Sequence, residues 1–130
     1  MDITLTNPWQ WQDSLGYSQA VEVKNNTRTL YCAGQAAVDA NGQPSGEGMR
    51  AQIKLALQNL EQVIEKAGYT PKGIVRLNYY TTSIPEFFAA YDIITSWVLQ
   101  HGIQPASTLI EIKALAFPQL LVEIEATVSG

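Results

Sequence analysis

The most regular stretch of the chain lies at residues 48–67, where Met49, Ile53, Leu57, Leu60, Ile64 and Ala67 recur at spacings of four, four, three, four and three. That period sets them on one face of a helix, with Arg50, Lys54, Glu61, Glu65 and Lys66 mostly on other faces and Gly68 as its stop. Next, GIVRLNYYTTS (73–83) alternates. Val75, Leu77, Tyr79 and Thr81 point one way and Ile74, Arg76, Asn78 and Tyr80 the other, as in a strand covered on both faces. Ser83 with Glu86 reads as a capping box. It opens a second helix over about 84–100, with Phe88, Tyr91, Ile94, Thr95 and Val98 on one stripe and Gly102 at its end.

Two weaker patterns flank these elements. YSQAVEVK (17–24) alternates and TLYCAGQAAV (29–38) is apolar, so Asn25-Asn26 between them predicts a hairpin turn. Gly34 inside the second run signals a bulge or a close backbone approach. VDANGQPSGEG (38–48) is a loop. At the other end, QPASTLIEIKALAFPQLLVEIEATV (104–128) reads as two strands joined by a tight turn. Thr108, Ile110, Ile112 and Ala114 alternate with Leu109, Glu111 and Lys113. Leu120, Val122, Ile124, Ala126 and Val128 alternate with Leu121, Glu123, Glu125 and Thr127.

The order is β-β-α-β-α-β-β, a single α+β domain spanning 1–130 with two helices on one face of a mostly antiparallel or mixed sheet. The opposite face is left over, with Tyr80, Leu109 and Leu121 as candidates to lie on it. Subunit association is the economical way to cover such a face.

Composition narrows the function classes. The 130 residues suit one domain, which at this size buries roughly two-thirds of its unfolded surface and needs no disulfide or metal to fold. The net charge is −4, and the eight Lys and Arg are scattered singly. Nucleic-acid binders need a basic footprint to displace counterions, so no nucleic-acid partner is expected. An anionic membrane surface is disfavoured for the same reason. No apolar run approaches the roughly 18 residues of a membrane span, and MDITLTNPWQWQD is not a signal peptide, so a cytoplasmic location is expected.

Candidate chemistry is sparse. His101, the one histidine, sits in the last turn of the second helix, where a partial positive charge is favoured; a cap role outweighs catalysis. One histidine and one cysteine cannot make a zinc site, so no metal or cofactor is expected. Cys32, in an apolar strand, reads as an inert buried thiol rather than a nucleophile. Trp97 belongs to a helix core or interface. Trp9 and Trp11 either pin the N-terminal segment or line an apolar pocket. Glu123 and Glu125 share the non-core face of the last strand, where glutamates are usually only solvated. A functional reading makes Glu123 the carboxylate that orients or deprotonates a water.

The chain as a whole resembles the RidA family, also called the YjgF or reactive-intermediate deaminase family. The matching pieces are GYSQAV (16–21), YCAGQ (31–35), LQNLEQVIEKAG (57–68), IVRLNYYTT (74–82), the Pro-Ala of QPAST, and LVEIEA (121–126). The resemblance implies a homotrimer with a central barrel and three ligand clefts between neighbouring subunits. It implies cofactor-free hydrolysis of enamines and imines such as 2-aminoacrylate, giving a 2-keto acid and ammonia. In the family an arginine after the Pro-Ala pair grips the substrate carboxylate and the first glutamate of V-E-I-E helps hold the attacking water. A tyrosine and a glycine line the cleft.

Carried over by motif, these become Tyr17, Gly34 and Glu123, with Phe88, Ser107 and Thr108 as further binding residues. The arginine does not carry over: Ser107 stands in its place. Where the family often has a polar residue such as asparagine before the tyrosine of the second helix, this chain has Phe87, Phe88 and Ala89 before Tyr91. A bidentate contact to a desolvated carboxylate is worth roughly 2–5 kcal/mol when truncated, against ~1 kcal/mol for one neutral hydrogen bond. Serine therefore does not replace arginine, and activity on 2-aminoacrylate-type imines is expected to be weak or absent. Three readings follow. The first is a divergent deaminase acting on a neutral, larger or ring-containing enamine or imine. The second is a non-catalytic small-molecule-binding or regulatory trimer. The third, an endoribonuclease, is disfavoured by charge.

Overall fold

The computed structural model describes residues 1–130. Strands are β1 (Asp2–Thr6), β2 (Ala20–Lys24), β3 (Thr29–Tyr31), β4 (Gln35–Ala36), β5 (Ile74–Thr81), β6 (Ala106–Glu111) and β7 (Val122–Ser129). Helices are α1 (Met49–Lys66), α2 (Ile84–Ala89) and α3 (Tyr91–His101). The mixed α+β architecture is the one the pattern predicts. A central sheet runs β3-β7-β5-β6, with β4 also on β7, and β1-β2 form a separate two-stranded ribbon. The strands β5 and β6 are parallel, joined by the α2–α3 crossover, whereas β7 runs antiparallel to β5.

Helix α1 buries Met49, Ile53, Leu57, Leu60 and Ile64, as its period requires; Ala67 is instead its exposed C-cap. These residues meet Leu77, Tyr79, Val122, Ile124, Ala126 and Val128 of the sheet in one core. All three helices lie on that face, and no helix is long and apolar enough to cross a membrane.

Four expectations are corrected. The 17–24 and 29–38 runs do not form a hairpin. Ile3 and Leu5 of β1 pair with Val23 and Val21 of β2, so the ribbon takes its partner from the short DITLT alternation at the N-terminus. Asn25 does turn the chain, at φ 58°, but it hands the chain to the central sheet, where Thr29–Tyr31 pairs with β7.

The 104–128 stretch is not a hairpin either. The connection 112–121 is too long for a tight turn, and β5 inserts between β6 and β7. The second helix breaks at Ala90, which shifts its phase: Phe87, Ala90, Ile94, Trp97 and Val98 are buried, while Phe88 is half exposed. Leu109 and Leu121 pack against the helix-side core, so of the three residues assigned to the open face only Tyr80 lies there.

Candidate active site

Strand alternation divides the predicted site residues between two faces. On β5 and β7 the register pairs Tyr80 with Glu123, Asn78 with Glu125 and Arg76 with Thr127, all on the face without helices. Thr108 joins them beside Asn78, and its hydroxyl accepts a 3.1 Å hydrogen bond from Arg76 Nη2. Ser107, one residue earlier, pairs with the fully buried Leu77 and faces the helices. Ser107 and Glu123 of one chain therefore lie on opposite faces of the sheet.

The two glutamates, equivalent in sequence, differ in structure. Glu125 is committed: one oxygen accepts 2.6 Å from the Tyr80 hydroxyl and 3.0 Å from Asn78 Nδ2. These bonds, Tyr80 first, and the nearby Arg76 charge hold its carboxyl below the usual range, while the Tyr80 phenol is raised by the same contact. Glu123 makes no such bond. It lies beside Gly34, where an added Cβ would sit 2.6 Å from its carboxyl carbon. It borders a concavity of about 370 Å³ with Tyr80, Ile112 and Leu115. Gly34 and Glu123 are thus brought together, and of the two carboxylates Glu123 alone has no side-chain hydrogen bond.

The helix-side half gathers Tyr17, Phe88 and Ser107. They line a cavity of about 290 Å³ with Trp11, Leu15, Tyr79, Tyr91 and Leu109. Tyr17 lies in the loop before β2, not in a strand, and its position is fixed through its neighbours. Gln104 Nε2 donates to the Tyr17 carbonyl (3.1 Å), and Ser18 donates through its amide to Pro105 O (3.0 Å) and through its hydroxyl to Gln104 O (2.7 Å). The fully buried Gln12 ties Asn7, Asp13 and Gln19 together and so holds Trp11, whose ring meets Tyr17 edge-on at 6.3 Å. Trp9 does not reach the cavity.

No charged side chain lines this cavity. Burial, and secondarily Tyr17, pushes the Tyr91 phenol up to about 12, and burial raises Tyr79 well above its ordinary value, so both stay protonated. Tyr91 donates 2.7 Å to Leu15 O.

The remaining candidates are structural. Cys32 is buried and its thiol is pushed up by desolvation, which favours the unreactive form. His101 bonds Glu61 of α1 at 2.9 Å, and Trp97 Nε1 donates to the same oxygen at 2.6 Å; together they tie α3 to α1. Sequence reading missed Gln52. It is fully buried on α1, donates to Glu47 O and Gln119 O, and accepts from Leu121 N, each at 2.8 Å. It anchors the chain two residues before Glu123. A polar residue on the apolar stripe at 49, 53 and 57 was the available signal.

Comparison with known proteins supplies the frame for this geometry. The family model described as Endoribonuclease L-PSP matches residues 11–129. The chain belongs to the RidA/YjgF family. It is 32% identical to the 2-iminobutanoate/2-iminopropanoate deaminase of Mus musculus over 111 residues, covering 85% of this chain and 78% of the relative. A RutC family protein of Aquifex aeolicus is 29% identical over 99 residues, 76% of this chain and 77% of the relative. Among solved structures, the Rid family protein YyfB of Yersinia pestis, described as of unknown function, superposes with a TM-score of 0.86. It is 38% identical, with 99% of each chain covered.

Proposed function

We propose that the protein hydrolyses the C=N bond of an enamine- or imine-type substrate, in clefts where the Glu123 face of one copy meets the Ser107 cavity of another in a homotrimer. Water adds to the carbon of the protonated imine, which an enamine reaches by tautomerisation, while the Glu123 carboxylate accepts one water proton, leaving a neutral carbinolamine. That proton passes to nitrogen. The C–N bond breaks as the hydroxyl oxygen closes to the carbonyl and gives its proton to the freed Glu123 carboxylate, and a carbonyl compound and ammonia leave.

One observation carries this reading: Glu123 is held beside Gly34 with its oxygens uncommitted, while its neighbour Glu125 is tied to Tyr80 and Asn78. The imine-deaminase relative in mouse supports the reaction class. The distribution of the site residues over opposite faces of the sheet supports a cleft shared between copies. The substrate differs from the small 2-imino acids that the relative's name states, because Ser107 supplies no positive charge.

Ser107 also favours a second reading, a binding trimer without turnover. The endoribonuclease reading has little to stand on: the net charge is −4, and each arginine is engaged within the chain, Arg28 on Tyr69, Arg50 with Asp92 and Arg76 with Thr108. The deciding experiment follows ammonia release from imines generated in situ from a range of amino acids, with wild-type and Glu123→Gln proteins. Hydrolysis by the wild type that disappears in a folded Glu123→Gln variant is expected. Ligand binding without hydrolysis of any imine would favour the second reading.

A further inference from the structure

The cavity at Ser107 has the chemistry of a specificity pocket. Its walls are aromatic and aliphatic, and no lysine, arginine or histidine lines it. The arginine on the adjacent strand, Arg76, lies on the Glu123 face, where it bonds Thr108 and its charge acts on Glu125. A carboxylate entering here would lose its hydration with no cation in the cavity wall to meet it, a heavy desolvation cost. A ring would lose only apolar hydration and gain edge and face contacts.

The polar atoms present are neutral. Tyr91 is committed to Leu15 O, whereas the hydroxyls of Tyr17, Tyr79 and Ser107 have no partner within the chain. Trp11 and Phe88 are 63% and 49% exposed, so they stand at the rim, where a ligand would cover them. At about 290 Å³ the space is at the low end for small-molecule sites, enough for one ring with a short substituent.

We infer that the group bound in this cavity is an uncharged aromatic ring bearing a hydrogen-bonding atom, so that the substrate is a neutral, ring-bearing imine or enamine rather than a 2-imino acid. The inference rests on the reading of this cavity as the substrate side of the site. Tyr17, Tyr79 and Ser107 meet the polar atom, and Trp11 and Phe88 close over the ring. Trp11 and Phe88 are then specificity residues and Glu123 is not.

The test is binding, read separately from turnover. Phenylacetamide, phenylacetate and 2-oxobutanoate are titrated into the full chain by isothermal calorimetry, with saturation-transfer NMR to confirm ring contact. Phenylacetamide is expected to bind at least about tenfold more tightly than phenylacetate, with 2-oxobutanoate weaker still. Trp11→Ala, at an exposed position, should weaken phenylacetamide severalfold, whereas Leu99→Ala, exposed on α3 and away from the cavity, should leave it unchanged. Ser107→Arg should reverse the amide–acid preference. Equal or tighter binding of either acid to the wild type, no binding of phenylacetamide, or no effect of Trp11→Ala would overturn the inference. If the amide binds as expected and no imine is hydrolysed, the deaminase reading fails and this one stands. If 2-imino acids are hydrolysed and the amide does not bind, the reverse holds.

Discussion

Gly34 presses against Glu123: a methyl group at position 34 would lie 2.6 Å from the Glu123 carboxyl carbon and 2.7 Å from Oε2. The obstructing atoms are the far end of a flexible side chain, so relief is cheap for the fold but moves the carboxylate. Gly34→Ala is expected to cost under about 1 kcal/mol in stability, and to cut hydrolysis by roughly 10- to 100-fold, since misplacing a catalytic group by an ångström has effects of that order. Urea denaturation alongside ammonia-release kinetics checks both halves. A large stability loss would show that Gly34 is a folding residue only.

Phe87 and Phe88 are adjacent and should behave oppositely. Phe87 is fully buried against Tyr79 and Tyr91, whereas Phe88 is half exposed. Truncating a buried phenylalanine leaves a cavity, so Phe87→Ala should lose about 3–5 kcal/mol. Phe88→Ala should lose less than about 1 kcal/mol and weaken ligand binding. Thermal unfolding of the two variants decides the matter; equal losses would mean that the helix phase is wrong.

Much of this was legible in the sequence, and the failures have physical reasons. Helix α1 follows from strict periodicity over many residues, as does the alternation of β5 from Arg76 onward; a bulge after Ile74 puts that residue in the helix-side core, against the alternation. The α2–α3 phase was misread because the stripe was extended through Ala90, where the chain leaves helical geometry. Strand pairing was the weakest inference: β7 carries a clear alternation, but nothing in it says that its neighbour is β5 rather than β6. The motif residues fall into two pairings, Tyr17 with Ser107 and Gly34 with Glu123, which no one-dimensional pattern separates. The non-equivalence of Glu123 and Glu125 was equally hidden, since it depends on Tyr80 and Asn78 from another strand.

Gln52 should matter more than its surface-like chemistry suggests. Removing its fully buried side chain takes a partner from the Glu47 and Gln119 carbonyls and from the Leu121 amide and leaves a cavity on α1. Gln52→Ala is expected to destabilise by about 2–4 kcal/mol. Gln52→Glu should be at least as damaging as Ala, because it sets a carboxyl oxygen against the Glu47 and Gln119 carbonyls and buries a charge with no cation beside it. Denaturant midpoints for the three proteins provide the check.

Acid stability should depend on Glu125. Its folded-state pKa is depressed below the ordinary value of 4.5, first by Tyr80 and then by Asn78. The sign follows: the stabilisation is fully present above about pH 4.5 and is lost as pH falls through the lower folded value. In Tyr80→Phe the carboxyl loses its strongest donor, its pKa rises, and the acid-side loss of stability becomes shallower. Melting temperatures of both proteins across about pH 3–7 should converge at the acid end. Parallel curves would mean that the Tyr80–Glu125 contact is not formed in solution.

The most direct test of a site shared between copies is subunit complementation. Glu123→Gln and Tyr17→Ala damage different halves, and each is expected to be nearly inactive alone. Co-expressed in equal amounts, they should regain activity, because about a quarter of the clefts draw an intact half from each type of subunit if assembly is random. Recovery near that fraction of wild-type ammonia release is the predicted result. A mixed assembly no more active than the two variants measured separately would contradict it.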